Sequence, residues 1–183
     1  GCWAHARRKF IEAKKLQGKH KTGKADVVLS LIQQLYGVES RIKDKSIDEK
    51  YTARQADSLP IINKLNTWLE ENQRHLVGNS KLIEAANYLA NQWHKLIRYL
   101  DDGRLRIDNN RAERAVKPFV IGRKNWLFSQ TTNGAHASAT LYSIVETAKA
   151  NALIPFDYVN ACLDELRKPE PDIDSLLPWN VKK

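Results

Sequence analysis

The sequence contains no methionine, and its two cysteines, Cys2 and Cys162, lie near opposite ends. Two isolated thiols cannot build a disulfide framework, so a reducing compartment, most economically the cytoplasm, is expected. No apolar run approaches the roughly 20 residues that a membrane span requires. The chain also lacks the charged-then-apolar opening of a signal peptide, so no membrane partner is expected. There is no glycine-rich phosphate loop, and no Ser or Cys nucleophile stands beside a base. Repeats and low-complexity tracts are missing too. The opening at Gly1-Cys2-Trp3 shows no translation start and reads as a chain entered midway, with sequence upstream left out.

What is present suits a soluble globular protein. Of 183 residues, 42% are hydrophobic and 28% charged, and five tryptophans add bulk for a core. Lys and Arg number 30 against 21 acids, a net charge of +9. Such an excess favours a polyanion, because a basic surface gains affinity by releasing counterions from phosphates. On charge alone, a nucleic-acid partner and a merely solvated basic surface stand level.

Periodicity gives a mainly α chain with a few short strands. Cys2-Trp3-Ala4-His5-Ala6 reads as the end of a buried strand, followed by a basic helix from Arg7 to about Leu16. Gly18 to Gly23 reads as a loop. Val27, Val28, Leu31, Ile32, Leu35, Val38 and Ile42 then recur at helical spacing. Ser58-Leu59-Pro60 starts a second apolar face of Ile61, Ile62, Leu65, Trp68 and Leu69. Gly78-Asn79 breaks it, with Ser80 as cap of a third helix carrying Leu82, Ala85, Ala86, Leu89, Trp93, Leu96, Ile97 and Leu100. Residues 26 to 100 are therefore expected to form a helical hairpin or small bundle. Beyond Asp101-Asp102-Gly103, Leu105-Arg106-Ile107 reads as extended. A helix is expected from Arg111 to Lys117, stopping before Pro118. Phe119-Val120-Ile121 and Trp126-Leu127-Phe128 are short runs that suit strand or loop. Two further helices are expected, from Gly134 to Ala150 and from Pro155 onward.

The most distinctive segment is Ile107-Asp108-Asn109-Asn110-Arg111-Ala112-Glu113-Arg114-Ala115. Its plain reading is a capping box, Asn110 as N-cap and Glu113 as its partner three residues on. Its functional reading is a metal-ligating carboxylate at Glu113, since hard divalent ions take oxygen ligands. Cations crowd around it: Arg104, Arg106, Arg111, Arg114, Lys117, Arg123 and Lys124, suited to phosphates of DNA. Trp126 and Phe128 suit a core better than a stacking platform. Cys2 and His5 have no second Cys/His pair at zinc-finger spacing, so packing is the better reading. Glu146 reads as a paired or exposed acid.

These residues carry a resemblance. Gly1-Cys2-Trp3-Ala4-His5-Ala6-Arg7-Arg8-Lys9-Phe10, Asp101-Asp102-Gly103-Arg104 and the block from Ile107 to Ala115 resemble motifs of the insertion-sequence sixty-six family of transposases. The likeness continues through Lys117 to Ser129, Leu141-Tyr142-Ser143, Glu146 to Asn151 and Leu177-Pro178-Trp179-Asn180. It is weakest from residue 17 to 80. The resemblance implies the C-terminal part of a ribonuclease-H-like α/β core carrying a helical insertion. Residues 1–16 would be the end of a core strand and a basic helix, 17–103 the insertion, and 104–183 the Glu-bearing helix and the rest of the core. It also implies an Asp-Asp-Glu triad holding Mg²⁺ in DNA strand cleavage and transfer, with Glu113 as the third acid and metal ligand. Both aspartates would lie upstream of Gly1, so this stretch alone is expected to be inactive. Expected partners are DNA, the N-terminal part of the transposase, and a second copy of the chain.

Two readings from other classes stay open. One is a non-catalytic helical DNA-binding or assembly module, the remnant of a decayed element. The other is a helical protein-interaction domain whose charge is incidental.

Overall fold

A computed structural model describes residues 1–16, 23–76, 80–126 and 129–181. The expected loop at Gly18–Gly23 falls almost wholly outside the described residues. So do the break at Gly78-Asn79, Leu127, Phe128 and the side chain of Trp126.

The first surprise is at the N-terminus. Trp3–Lys15 is one helix, α1, entered from an extended Cys2. It replaces the expected strand, because Trp3, Ala6, Phe10 and Ala13 recur every three or four residues and all are buried. The short apolar opening is only the first turn of that stripe. Trp3 and Phe10 are fully buried, each worth roughly 1.5–3 kcal/mol or more in water-excluded area. The Trp3 indole N–H donates to the Leu96 carbonyl at 2.9 Å, which satisfies its polar atom inside the core.

Around α1 the bundle closes much as the spacing predicts. α2 (Lys24–Arg41) buries Val28, Leu31, Ile32, Leu35 and Val38. Ile42 just beyond α2 is buried as well, while Val27 is exposed. α3 (Ile47–Ala53) is opened by a capping box in which Ser46 and Glu49 exchange hydrogen bonds. It runs through a π-helical turn, Arg54–Ser58, into α4 (Leu59–Asn72). The expected start at Ser58-Leu59-Pro60 is thus a register change inside a longer helical run. Pro60 cannot donate a backbone hydrogen bond, and the wider π turn just before it suits a first-turn proline. α4 buries Ile61, Ile62, Leu65, Trp68 and Leu69, the five residues expected. α5 (Ser80–Leu96) buries Leu82, Ala85, Ala86, Leu89 and Leu96, and a 3₁₀ turn, Ile97–Leu100, follows it. α1 packs chiefly on α5 and α2, with Phe10 edge-on to Trp68 (5.8 Å) and Trp3 edge-on to Trp93 (6.4 Å).

From Asp101 to Asn109 the chain turns, and Leu105-Arg106-Ile107, expected to be extended, lies within those turns and bends. Then α6 runs from Asn110 to Trp126, straight through Pro118. The expected stop before that proline is corrected, and Phe119-Val120-Ile121, expected as strand or loop, is helical. The carbonyl of Arg114, which loses its partner to the proline, belongs to an exposed residue where water can replace the bond. Phe119 meets Tyr142 edge-on at 5.3 Å, a contact that helps offset the proline's cost. α7 (Thr132–Ala150) is capped by Thr131, whose hydroxyl accepts from the Gly134 N–H, and α8 (Pro155–Leu166) follows. Among the described residues there is no strand, so the mainly α expectation holds and the short strands do not. No described helix is long and apolar enough to cross a membrane.

The chain divides into two units, Gly1–Arg111 and Ala112–Lys183. The first holds the core just described. In the second, Ala148 and Tyr158 are the buried hydrophobic residues among those described, and the Tyr158 hydroxyl donates to the Leu176 carbonyl at 2.7 Å. Val120, Ile121, Leu141, Phe156, Leu163 and Trp179 are exposed there.

Candidate functional site

The segment singled out in the sequence is built on one buried cation that local spacing does not reveal. Arg54 lies in the π turn, 2% exposed. Its guanidinium grips Glu39 of α2 in a fork, Nε to Oε1 at 2.8 Å and Nη2 to Oε2 at 2.7 Å. The remaining donors reach backbone: Nη1 to the carbonyls of Tyr99 (2.8 Å) and Asp102 (2.9 Å), Nη2 to that of Leu105 (3.0 Å). All five N–H groups of the side chain are thereby used, the condition under which a charge is tolerated in a core. The same guanidinium lies over the Tyr99 ring, 5.1 Å from its centre. Next door, Gln55 donates to the Leu100 carbonyl at 2.8 Å. One helical turn therefore ties down the stretch from Tyr99 to Leu105, which leads into α6.

Gly103 completes that turn by close approach. A Cβ on it would stand 2.0 Å from the Ile47 carbonyl oxygen, so the loop lies against the start of α3 with no room for a side chain. Gly103→Ala is expected to destabilise the first unit by roughly 1–3 kcal/mol or more through forced backbone movement. A urea midpoint equal to that of the unsubstituted chain would show the contact to be dispensable.

The start of α6 is capped differently from the expectation. Asp108, not Asn110, supplies the cap: its Oδ1 accepts the Asn110 backbone N–H at 3.1 Å. Its Oδ2 accepts from the Asn110 amide at 3.0 Å and from the Tyr36 hydroxyl at 3.3 Å. Burial, and then the neighbouring Asp108 carboxylate, raise the Tyr36 phenol well above its ordinary range, so it stays a donor. The backbone N–H of Asn109 meets the Cys2 sulfur at 3.4 Å, and that of Trp3 the Ile107 carbonyl at 3.4 Å. The entry to α6 is thus fixed from the α1 side and from α2.

Glu113 stands in the first turn of α6, exposed. The seven basic residues expected beside it are also exposed. Arg104 is committed to Asp102 at 2.6 Å, and it holds that carboxyl down to about 2, with help from its own backbone N–H. Arg106 lies in the turn before the helix. Lys117, four residues beyond Glu113, shares its helix face, and Arg111 and Arg114 flank it. Arg123 and Lys124 occupy the last turn, roughly 15 Å further along the axis at 1.5 Å per residue. There they complement the helix dipole. Glu146 is paired with Lys149 at 2.7 Å, as expected of an ordinary surface acid.

Sequence reading missed Arg54. The available signal was its place in a 54, 58, 61, 65 spacing, where apolar residues belong and Arg and Ser stand instead.

The sequence matches the profile of the transposase IS66 family over residues 1–137 and that of the IS66 C-terminal element over residues 143–179. Among curated proteins it resembles three uncharacterized proteins of Sinorhizobium fredii (strain NBRC 101917 / NGR234). Protein y4qI is 33% identical over 100% of this chain and 34% of its own length. Protein y4jD is 32% identical over 99% of this chain and 35% of its own length. Protein y4hP is 30% identical over 100% of this chain and 35% of its own length. The chain thus spans about a third of each relative. No solved structure matches it.

Proposed function

The chain belongs to the IS66 family of transposases, and from that premise we propose that it is the C-terminal portion of a DNA transposase that cuts and joins strands during movement of an insertion sequence. In this reading Glu113 is the third acid of an Asp-Asp-Glu set. Residues 17–103 are a helical insertion between core elements, and 104–183 return to a ribonuclease-H-like core. The observation that carries it is the placement of Glu113: an exposed acid on the first turn of a helix whose entry is fixed by Asp108 and the Arg54 clamp. Arg111, Arg114 and Lys117 on that helix would hold DNA phosphates, with Arg104, Arg106, Arg123 and Lys124 as further contacts.

Divalent-cation dependence is general to such transposases, and Mg²⁺ is the ion proposed. The acids at the start of α6 do not by themselves fit a two-ion centre. Glu113 is the single acid in α6, and Asp108 has both oxygens engaged by Asn110 and Tyr36. One carboxylate by itself cannot complete a two-ion centre, which needs several oxygen ligands. The remaining acids are proposed to come from two aspartates in a longer form of the protein, consistent with relatives about three times as long. The proposed compartment is the cytoplasm.

The test is a Mg²⁺-dependent nicking assay on DNA, comparing this chain with a form extended upstream to the length of its relatives. Cleavage by the extended form alone is expected. Equal cleavage by the short form would overturn the division of the acids. The rival, a non-catalytic DNA-binding or assembly module, draws on the same single acid. An upstream reading frame without two suitable Asp codons would favour it.

A further inference from the structure

We infer that the first unit carries its own binding trough for the phosphate backbone of duplex DNA, in which Arg7 and Arg8 of α1 act together with Lys43, Lys50, Arg106 and Arg111. None of the first four stands among the basic residues read from the sequence. The inference deepens the transposase reading and rests on its DNA partner.

Two depressions in the surface of Gly1–Arg111 carry it. One, of about 540 Å³, is lined by Arg7 and Arg8, with Gln33, Tyr36, Asp108 and Asn110. The other, of about 490 Å³, is lined by Lys43, Lys50, Arg106 and Arg111 among others. They share Tyr36 and Asp108 in their walls, so the two lie side by side as the halves of the inferred trough. Their charges can be balanced residue by residue. Arg104 is cancelled by Asp102, and Arg54 by Glu39. The six cations named above make no ion pair among the described residues. Against them stands one acid, Asp108, held by Tyr36 and Asn110. Six uncancelled cations along a concave surface would repel one another without an anion to share.

The chemistry of the walls selects the anion. A groove for unpaired strands offers aromatic faces on which bases stack. Here the aromatic side chain is Tyr36, half-buried with its hydroxyl tied to Asp108, so no open ring is presented. Five exposed cations and the half-buried Lys50, with no stacking platform, suit a continuous line of phosphates, read for charge and position rather than sequence.

The experiment measures affinity of this 183-residue chain for a fluorescent duplex across a salt series. Arg7→Ala/Arg8→Ala is expected to weaken binding roughly tenfold or more at low salt. It should also make the slope of log K against log salt shallower by about 2, one per lost phosphate contact. Arg7→Lys/Arg8→Lys should restore most of both. Lys149→Ala/Lys168→Ala removes the same charge from lysines paired with Glu146 and Glu165, and should change neither. A slope unchanged in the α1 variant, or lowered equally in the lysine control, overturns the trough while leaving DNA as partner. Tighter binding to a single strand than to the duplex overturns the duplex assignment. Failure of the unsubstituted chain to bind duplex even at low salt overturns the trough and the nucleic-acid reading together. Urea midpoints equal among all variants exclude a folding defect as the cause.

Discussion

Glu113→Gln in the upstream-extended protein is expected to lower metal-dependent DNA cleavage by about 10³-fold or more, the scale on which losing one member of a catalytic set acts. Glutamine keeps the size of the side chain and one carbonyl oxygen but removes the negative charge that a hard cation requires. The helix should tolerate the change, because the cap of α6 comes from Asp108 and the side chain at 113 is exposed. Affinity for DNA should therefore be unaltered or slightly raised, since a negative charge has gone from a basic surface. Loss of cleavage with binding retained is the pattern that identifies a ligand to the ion. Cleavage by Glu113→Gln at the rate of the parent would remove Glu113 from the proposed set. Loss of binding in parallel would assign it to DNA positioning.

The second large effect concerns stability. Arg54→Ala would strand the Glu39 carboxylate, whose side chain is 18% exposed, and leave three backbone carbonyls without their donor. Removing one partner of a buried pair costs about 3–5 kcal/mol. Small domains have only about 5–15 kcal/mol in hand, so the variant is expected to sit near the limit of folding. Arg54→Lys should recover little. An ammonium offers three donors from one point, whereas the planar fork reaches Glu39, Tyr99, Asp102 and Leu105 at once. Glu39→Gln should be milder, because the fork keeps one acceptor and its three carbonyls. Urea unfolding of the 183-residue chain and its three variants checks the order. A drop below about 1 kcal/mol for Arg54→Ala, the scale of an exposed ion pair, would mean that the clamp is replaced by water at little cost.

Much of the fold was legible because three helices carry unbroken apolar stripes. α2, α4 and α5 present faces of Val, Leu, Ile and Trp at three- and four-residue steps, and those faces are the ones buried. Local rules failed where a short window competed with a longer one. Cys2 to Ala6 resembles a strand only if Phe10 and Ala13 are left out of view. Pro118 stops a helix in isolation, but α6 continues, the orphaned carbonyl belonging to the exposed Arg114 and Phe119 having Tyr142 to meet. Leu105-Arg106-Ile107 alternates as a strand would, yet Arg54 captures the Leu105 carbonyl and holds a turn. The candidate acid could be found from its motif, whereas its support could not. The residue that steadies the approach to α6 lies 51 positions before Leu105, the carbonyl that it holds. No spacing rule spans such a distance.

The location of the Arg54 clamp has a practical consequence. Dissolved ions at 1 M shorten the reach of a surface charge to about 3 Å, which dissolves steering toward a polyanion. A guanidinium 2% exposed, with every donor facing protein oxygen, is out of reach of that screening. A concentrated sodium chloride wash should therefore strip co-purifying nucleic acid from the exposed cations while the approach to α6 keeps its shape. That offers a simple route to clean, still-folded material for the binding measurements.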